Sequence, residues 1–142
     1  MIAQVLIAVS LTLTPVTDTS EATYNKPAHE LYRVRPAVDA KCPQWWHLAA
    51  SVGWRKNLLP KLDEIMWRES RCDLYQINRK DPNRGSWGLM QVNGFWVKYL
   101  SSRGILERLR DLQDPETNLR SALAIYNYAN DKHGNGWGPW GE

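Results

Sequence analysis

The strongest constraint on this chain is a long amphipathic stretch near its end. Asp114 is a credible N-cap, Pro115 fits the first helical position, and Glu116 puts negative charge at the positive end of the helix dipole. Leu119, Ala122, Leu123, Tyr126 and Ala129 or Asn130 then recur at helical spacing until Gly134, Gly136 and Gly138 stop the pattern. An earlier stretch has the same character. Pro60 suits a first turn, and Leu58, Leu62, Ile65, Met66 and Glu69 fall on one helical face. Both stretches therefore read as helices, each with one apolar face.

The segments between and around these helices are shorter. QWWHLAASVGW, from Gln44, predicts a short helix ending near Gly53. Leu74-Tyr75-Gln76-Ile77 reads as a short strand, and DPNRG at 81–85 as a turn. A helical pattern with FWVKYL begins near Gly94 and breaks around Ser101–Gly104, and Ile105, Leu106, Leu109 and Leu112 predict one more short helix. The 142 residues fit one domain with a sizeable core. We find no internal repeat and no second domain.

The beginning of the chain reads differently. Residues 1–22 run from an apolar stretch, Ile2 to Leu13, through Pro15 to small polar residues, with Ser20 and Ala22 as small residues before a cleavage point. This is the order of a signal peptide, although no Lys or Arg precedes the apolar stretch; an N-terminal element packed on the domain is the alternative. The stretch is short for a transmembrane helix, so no stable membrane insertion is expected after cleavage. Residues 23–44, with Pro27, Pro36 and Pro43, read as an extended arm, and 45–142 as the functional domain. Removing 1–22 takes away Asp18 and Glu21 and no basic residue, leaving a chain more positive than the +3 of the whole. That charge suits an anionic polymer, but no Lys/Arg cluster or module motif marks nucleic acid, and none is expected as a partner.

Export gives meaning to the two cysteines. Cys42 and Cys72 pair in an oxidising compartment, closing a loop worth about 3–4 kcal/mol in the chain-entropy model; two buried thiols are the alternative. His29, His47 and His133 lack metal-ligand spacing, so neither metal nor cofactor is expected. The aromatic residues are 8 Trp and 6 Tyr against a single Phe, a set with polar tips that suits either a wet cleft or a Trp-heavy core.

Glu69 is the sharpest single position. A carboxylate on an apolar helix face is costly when ionised, so such a group is expected to keep its proton toward neutrality, as a general acid must. The competing reading is a structural Glu paired with Arg68, Arg71 or another cation. Around it stands an ordered set: Trp67-Arg68-Glu69-Ser70, then Ser86-Trp87-Gly88-Leu89-Met90-Gln91-Val92-Asn93, then Asp114-Pro115-Glu116-Thr117-Asn118-Leu119.

This set resembles the lysozyme-like superfamily, most nearly domains of the soluble lytic transglycosylase type. The segment S-W-G-L-M-Q-V-N is also similar to D-Y-G-I-F-Q-I-N of animal lysozymes. The resemblance covers roughly Leu58 to Trp140. It implies a mainly α, α+β fold, a compact helical domain with a short turn and β region and a substrate cleft, and cleavage of the β-1,4 bond between N-acetylmuramic acid and N-acetylglucosamine in peptidoglycan. Glu69 matches the catalytic glutamate, and Ser70 the serine that fixes the helix end. Gly88, Leu89, Met90 and Gln91 match the turn forming one wall of the sugar site, where a glycine would let backbone approach the ligand. Asn118 matches an asparagine of the later helix. Tyr126, in a partial echo of A-Y-N-A-G, is a candidate for a hydroxyl near Glu69 or a core residue.

Ser86 stands where animal lysozymes place a second carboxylate, so a one-carboxylate transglycosylase is the favoured expectation. The loop carboxylates Asp73 and Asp81 leave hydrolysis open, and a non-catalytic wall-binding domain is the remaining class. The expected partner is peptidoglycan glycan strands, met by a monomer that is secreted, or carried by a phage virion or lysis system. Trp67, Trp87, Tyr126, Trp137 and Trp140 are the rings expected to face the cleft if composition reports a glycan site.

Overall fold

A computed structural model describes residues 34–142. The leader at 1–22 and the first part of the 23–44 arm lie outside those residues. In chain order come a 3-10 turn at Pro43–Trp45, α1 (Trp46–Ser51), a 3-10 turn at Lys56–Leu58 and α2 (Leu59–Ser70). The strands β1 (Ile77–Asn78), β2 (Ser86–Trp87) and β3 (Val92–Asn93) follow, then 3-10 turn Gly94–Trp96 and α3 (Val97–Ser102). Leu109–Gln113 forms another 3-10 turn before α4 (Pro115–His133), and Gly138–Trp140 a last one.

The two long helices form as their sequence dictates. On α4, the Asp114 side chain accepts the Thr117 amide, Pro115 stands in the first turn, and Gly134 closes the helix at φ +70°. Leu59, Leu62, Ile65 and Met66 of α2 join Leu119, Ala122 and Ile125 of α4, with Leu89, Met90, Leu100 and Leu112, in one buried cluster. Each such side chain contributes roughly 1.5–3 kcal/mol on burial.

The β region is a three-stranded antiparallel sheet in the order β1-β2-β3, with Ile77 opposite Trp87 and Ser86 opposite Asn93. The strand expected over 74–77 begins only at Ile77, because Leu74 is buried in a turn and the Asp73 carboxylate accepts the Tyr75 amide. The 105–112 segment winds into a 3-10 turn at Leu109–Gln113.

The described end of the arm is fastened down. Asp63, buried on α2, accepts hydrogen bonds from the Lys41 and Cys42 amides and the Trp46 indole. Cys42 is disulfide-bonded to Cys72 across a Cα–Cα distance of 5.5 Å. Cys72 and Arg71 both take left-handed backbone, at φ 64° and 56°, so α2 stops abruptly after Ser70. Non-glycine residues pay for that conformation, and the disulfide together with the Trp45 indole bond to the Cys72 carbonyl holds it in place.

Three of the eight tryptophans also spend their N–H groups indoors. Trp46 reaches Asp63, Trp54 the Leu119 carbonyl and Trp140 the Met90 carbonyl. The Trp54 ring is stacked on Trp137 and packed beside Tyr126. The aromatic surplus is therefore mainly a core feature.

Candidate active-site cleft

Glu69 is one residue from the end of α2, and its side chain retains 26% exposure. It opens into a cleft of about 520 Å³, lined also by Gln76, Ile77, Asn78, Asp81, Pro82, Ser86, Gln91, Asn93, Pro139 and Trp140. Two carboxylates, four side-chain amides, one hydroxyl and one indole suit a polyhydroxylated ligand with apolar ring faces. Among the described residues no group of His, Cys, Asp and Glu could hold a metal ion.

The surroundings of Glu69 differ from the isolated carboxyl expected on an apolar face. The Arg68 guanidinium donates to Glu69 Oε1 through Nη2 at 3.1 Å and Nε at 3.3 Å. A partly exposed, cation-paired carboxylate is not desolvated in the way the helix pattern implied. The expectation erred because periodicity reports the side a residue emerges from, and not what reaches it from elsewhere.

The turn at 86–93 forms the opposite wall largely through its backbone. Leu89, Met90 and Asn118 are fully buried. Asn118 accepts the Met90 amide and donates to the Trp87 and Leu112 carbonyls, so it clamps the turn onto α4. Ser70 Oγ donates toward the Met66 and Leu89 carbonyls, tying the end of α2 to the same turn. The side chains of these three positions and of Ser70 are buried behind the wall, and none of the four lines the cleft.

Gly88 is required for a different reason than ligand approach. Its φ is +74°, and a Cβ there would lie 2.2 Å from Asn118 Nδ2 and 2.5 Å from the Leu112 carbonyl oxygen. The close neighbour is the clamp itself.

Ser86 and Gln91 do line the cleft. Ser86 Oγ accepts from Asn93 Nδ2 at 3.1 Å. Gln91 Nε2 donates to the Gln76 and Gly88 carbonyls, leaving its amide oxygen as what it can offer a sugar hydroxyl.

Tyr126 does not line the cleft; its ring packs between Trp54 and Trp137. Of the other rings, Trp140 is the one that lines it, while Trp67 and Trp87 lie under the guanidinium groups of Arg71 and Arg79. Of the loop carboxylates, Asp81 lines the cleft and accepts from Asn78 Nδ2 at 2.7 Å. Asp73 does not.

Sequence reasoning missed Gln76, Asn78 and Asn93 as cleft residues, whereas Arg68 was among the cations that the competing reading of Glu69 named. Asn93 closes the SWGLMQVN string and could have been nominated from its place in β3; Gln76 and Asn78 carry no local signal.

The family model described as Transglycosylase SLT domain matches residues 49–140, which contains α2, the sheet, α4 and every residue of the cleft. No curated protein and no solved structure gives a match.

Proposed function

Because the chain belongs to the transglycosylase SLT domain family, whose activity is directed at peptidoglycan, we propose that it is a lytic transglycosylase using Glu69 as its single acid and base. The observation that carries this reading is the placement of Glu69 in the polar cleft, on a helix end pinned by Ser70 to the opposite wall. In the first half of the reaction the Glu69 carboxyl protonates the oxygen of the β-1,4 bond between N-acetylmuramic acid and N-acetylglucosamine, and the bond from C1 to that oxygen breaks. In the second half the Glu69 carboxylate takes the proton of the C6 hydroxyl as that oxygen bonds to C1. The product is a 1,6-anhydro end, the proton is returned, and no water is consumed.

A second reading is favoured by one observation: Asp81 lines the same cleft. An inverting hydrolase would use such a carboxylate to activate water on the far side of the ring. Both readings place the enzyme outside the cytoplasm, consistent with the signal-like leader and the Cys42–Cys72 disulfide.

Digestion of purified peptidoglycan, with mass analysis of the soluble muropeptides, separates the two. The transglycosylase reading predicts anhydro ends, lost by roughly 10²–10⁴-fold in Glu69→Gln and retained in Asp81→Asn. Reducing ends that vanish in Asp81→Asn would establish hydrolysis instead. Equal release by wild type and Glu69→Gln would remove Glu69 from the mechanism, and no release by either would leave a wall-binding domain.

A further inference from the structure

Consecutive residues of a helix point about 100° apart and do not face each other. The pairing of Arg68 with Glu69 is therefore not something α2 provides by itself. The other contacts of the guanidinium explain it. Arg68 Nη1 donates to Glu142 Oε1, and Nη2 donates to the Trp140 carbonyl as well as to Glu69. Glu142 is in turn oriented by Lys61, whose Nζ lies 2.6 Å from its other carboxylate oxygen.

The segment carrying Glu142 is itself fixed. Asn135 Nδ2 donates to the Glu142 carbonyl, and the Trp140 indole donates to the buried Met90 carbonyl. Trp140 is also a wall of the cleft. One short stretch thus builds the cleft on its ring side and steers a cation on its carbonyl and carboxylate side.

We propose that Arg68 is a positioning residue for Glu69 and that Glu142, with the Trp140 carbonyl, holds its guanidinium against the reacting carboxylate. The proposal rests on Glu69 being the acid and base. In that cycle the carboxylate exists ionised between the two proton transfers, and a fixed cation at 3.1 Å stabilises it there and restrains its rotation. The groups facing this pair are few. Asp81 lies across the cleft, Lys61 engages Glu142 and Glu64, and Arg71 spends its guanidinium on the Trp67 carbonyl and ring. Hydrogen bonds from Lys61 and then Arg68 hold the Glu142 carboxyl below the usual carboxylate range, so Glu142 stays ionised through the working pH of any neutral enzyme.

Two readouts test this on the full chain with Arg68→Gln, Arg68→Lys and Glu142→Gln. The first is the pH dependence of turnover of purified peptidoglycan. Arg68→Gln is expected to lower kcat and move the alkaline limb upward, because the ionised carboxylate loses its neighbouring cation. Glu142→Gln should move it in the same direction by less, and Arg68→Lys should restore most of the shift. The second readout is the carboxyl-carbon NMR titration of Glu69 in the substrate-free protein, whose midpoint should move in the same order.

A Glu142→Gln protein with the wild-type limb and midpoint would overturn the tether. An Arg68→Gln protein with lowered turnover but an unmoved limb and midpoint would make Arg68 merely structural. Midpoints that move in a protein releasing no muropeptides would support the placement of Arg68 while sinking the enzymatic reading, so the two failures are told apart.

Discussion

From Ser86 to Asn93, one wall of the cleft is mostly sunk in the core, with Ser86, Gly88, Leu89, Met90 and Val92 all buried. Its carbonyls and amides are clamped from behind by Asn118, Ser70 and the Trp140 indole. From Gln76 to Pro82, the neighbouring wall has no buried residue; it hangs on the first through the β1-β2 pairing, the bonds of the Gly88 amide and the Gln91 side chain to the Gln76 carbonyl, and that of Asn93 to the Pro82 carbonyl. The first wall is shaped largely by side chains buried behind it, of which only Trp140 also lines the cleft. The second offers its side chains directly to the solvent and to whatever occupies the cleft. A motif residue on the first wall should therefore report on stability, and a polar residue on the second on activity.

The largest expected effect breaks the clamp. Asn118→Ala leaves the buried Met90 amide and the Trp87 and Leu112 carbonyls without their partner. We expect a loss of about 3–4 kcal/mol in chemical denaturation, the sum of several unsatisfied buried groups. Asn78→Ala on the neighbouring, exposed wall should cost about 0.5 kcal/mol or less while reducing peptidoglycan turnover. Equal destabilisation by the two would erase the distinction between the walls.

A smaller effect is expected at the junction of wall and helix. Ser70→Ala removes the bond to the Leu89 carbonyl, with a loss of about 1–2 kcal/mol. Because that bond sets the spacing between the Glu69 helix end and the turn, kcat should fall further than the stability loss explains. A thermal melt and a turnover assay at a temperature where both proteins are folded check this. Wild-type kcat in a destabilised Ser70→Ala would show that Glu69 is positioned without the turn.

The clamp was legible in the sequence only as a set of letters. Asn118 and Gly88 stood out because they match a motif, yet their roles come from a contact across thirty residues that no local pattern encodes. Helix limits were better determined, since Asp114, Pro115 and Gly134 act on their own neighbours. The Glu69 environment and the Tyr126 packing were not legible for the same reason as the clamp. The contacts of Arg68 with Trp140 and Glu142, and of Tyr126 with Trp54, join residues whose separation in sequence has no relation to helical or strand period. The exposed wall was legible through Asp81 alone, because a carboxylate in a turn is a chemical signal and an asparagine there is an ordinary turn residue.

Acidity separates the walls in a further way. Asp111 accepts the Arg108 and Glu107 amides in the 3-10 turn that presents the Leu112 carbonyl to Asn118. The Arg108 amide bond, followed by that of Glu107, holds its carboxyl below the ordinary 3.8. A depressed carboxyl stabilises the fold above its unfolded value and loses that contribution as pH falls through the folded value. Asp111→Asn should thus melt below wild type at neutral pH, with the gap closing as pH is lowered beneath about 3.8. A gap constant from pH 7 to pH 3 would mean that packing, and not charge, supports the turn.

The smallest effect lies beside the clamp. Ser121 and Asn118 are both fully buried, one helical turn apart on α4. Every amide group of Asn118 has a partner, whereas Ser121 Oγ has none among the described residues. A buried hydroxyl without a partner costs free energy, and alanine fits nearly the same space with a better helix propensity. Ser121→Ala should therefore stabilise by about 0.5–1 kcal/mol, seen as a higher denaturation midpoint at unchanged slope, with turnover unaltered. Destabilisation instead would place a bound water on that hydroxyl, and Ser121 would join Asn118 as a bonded support of the buried wall.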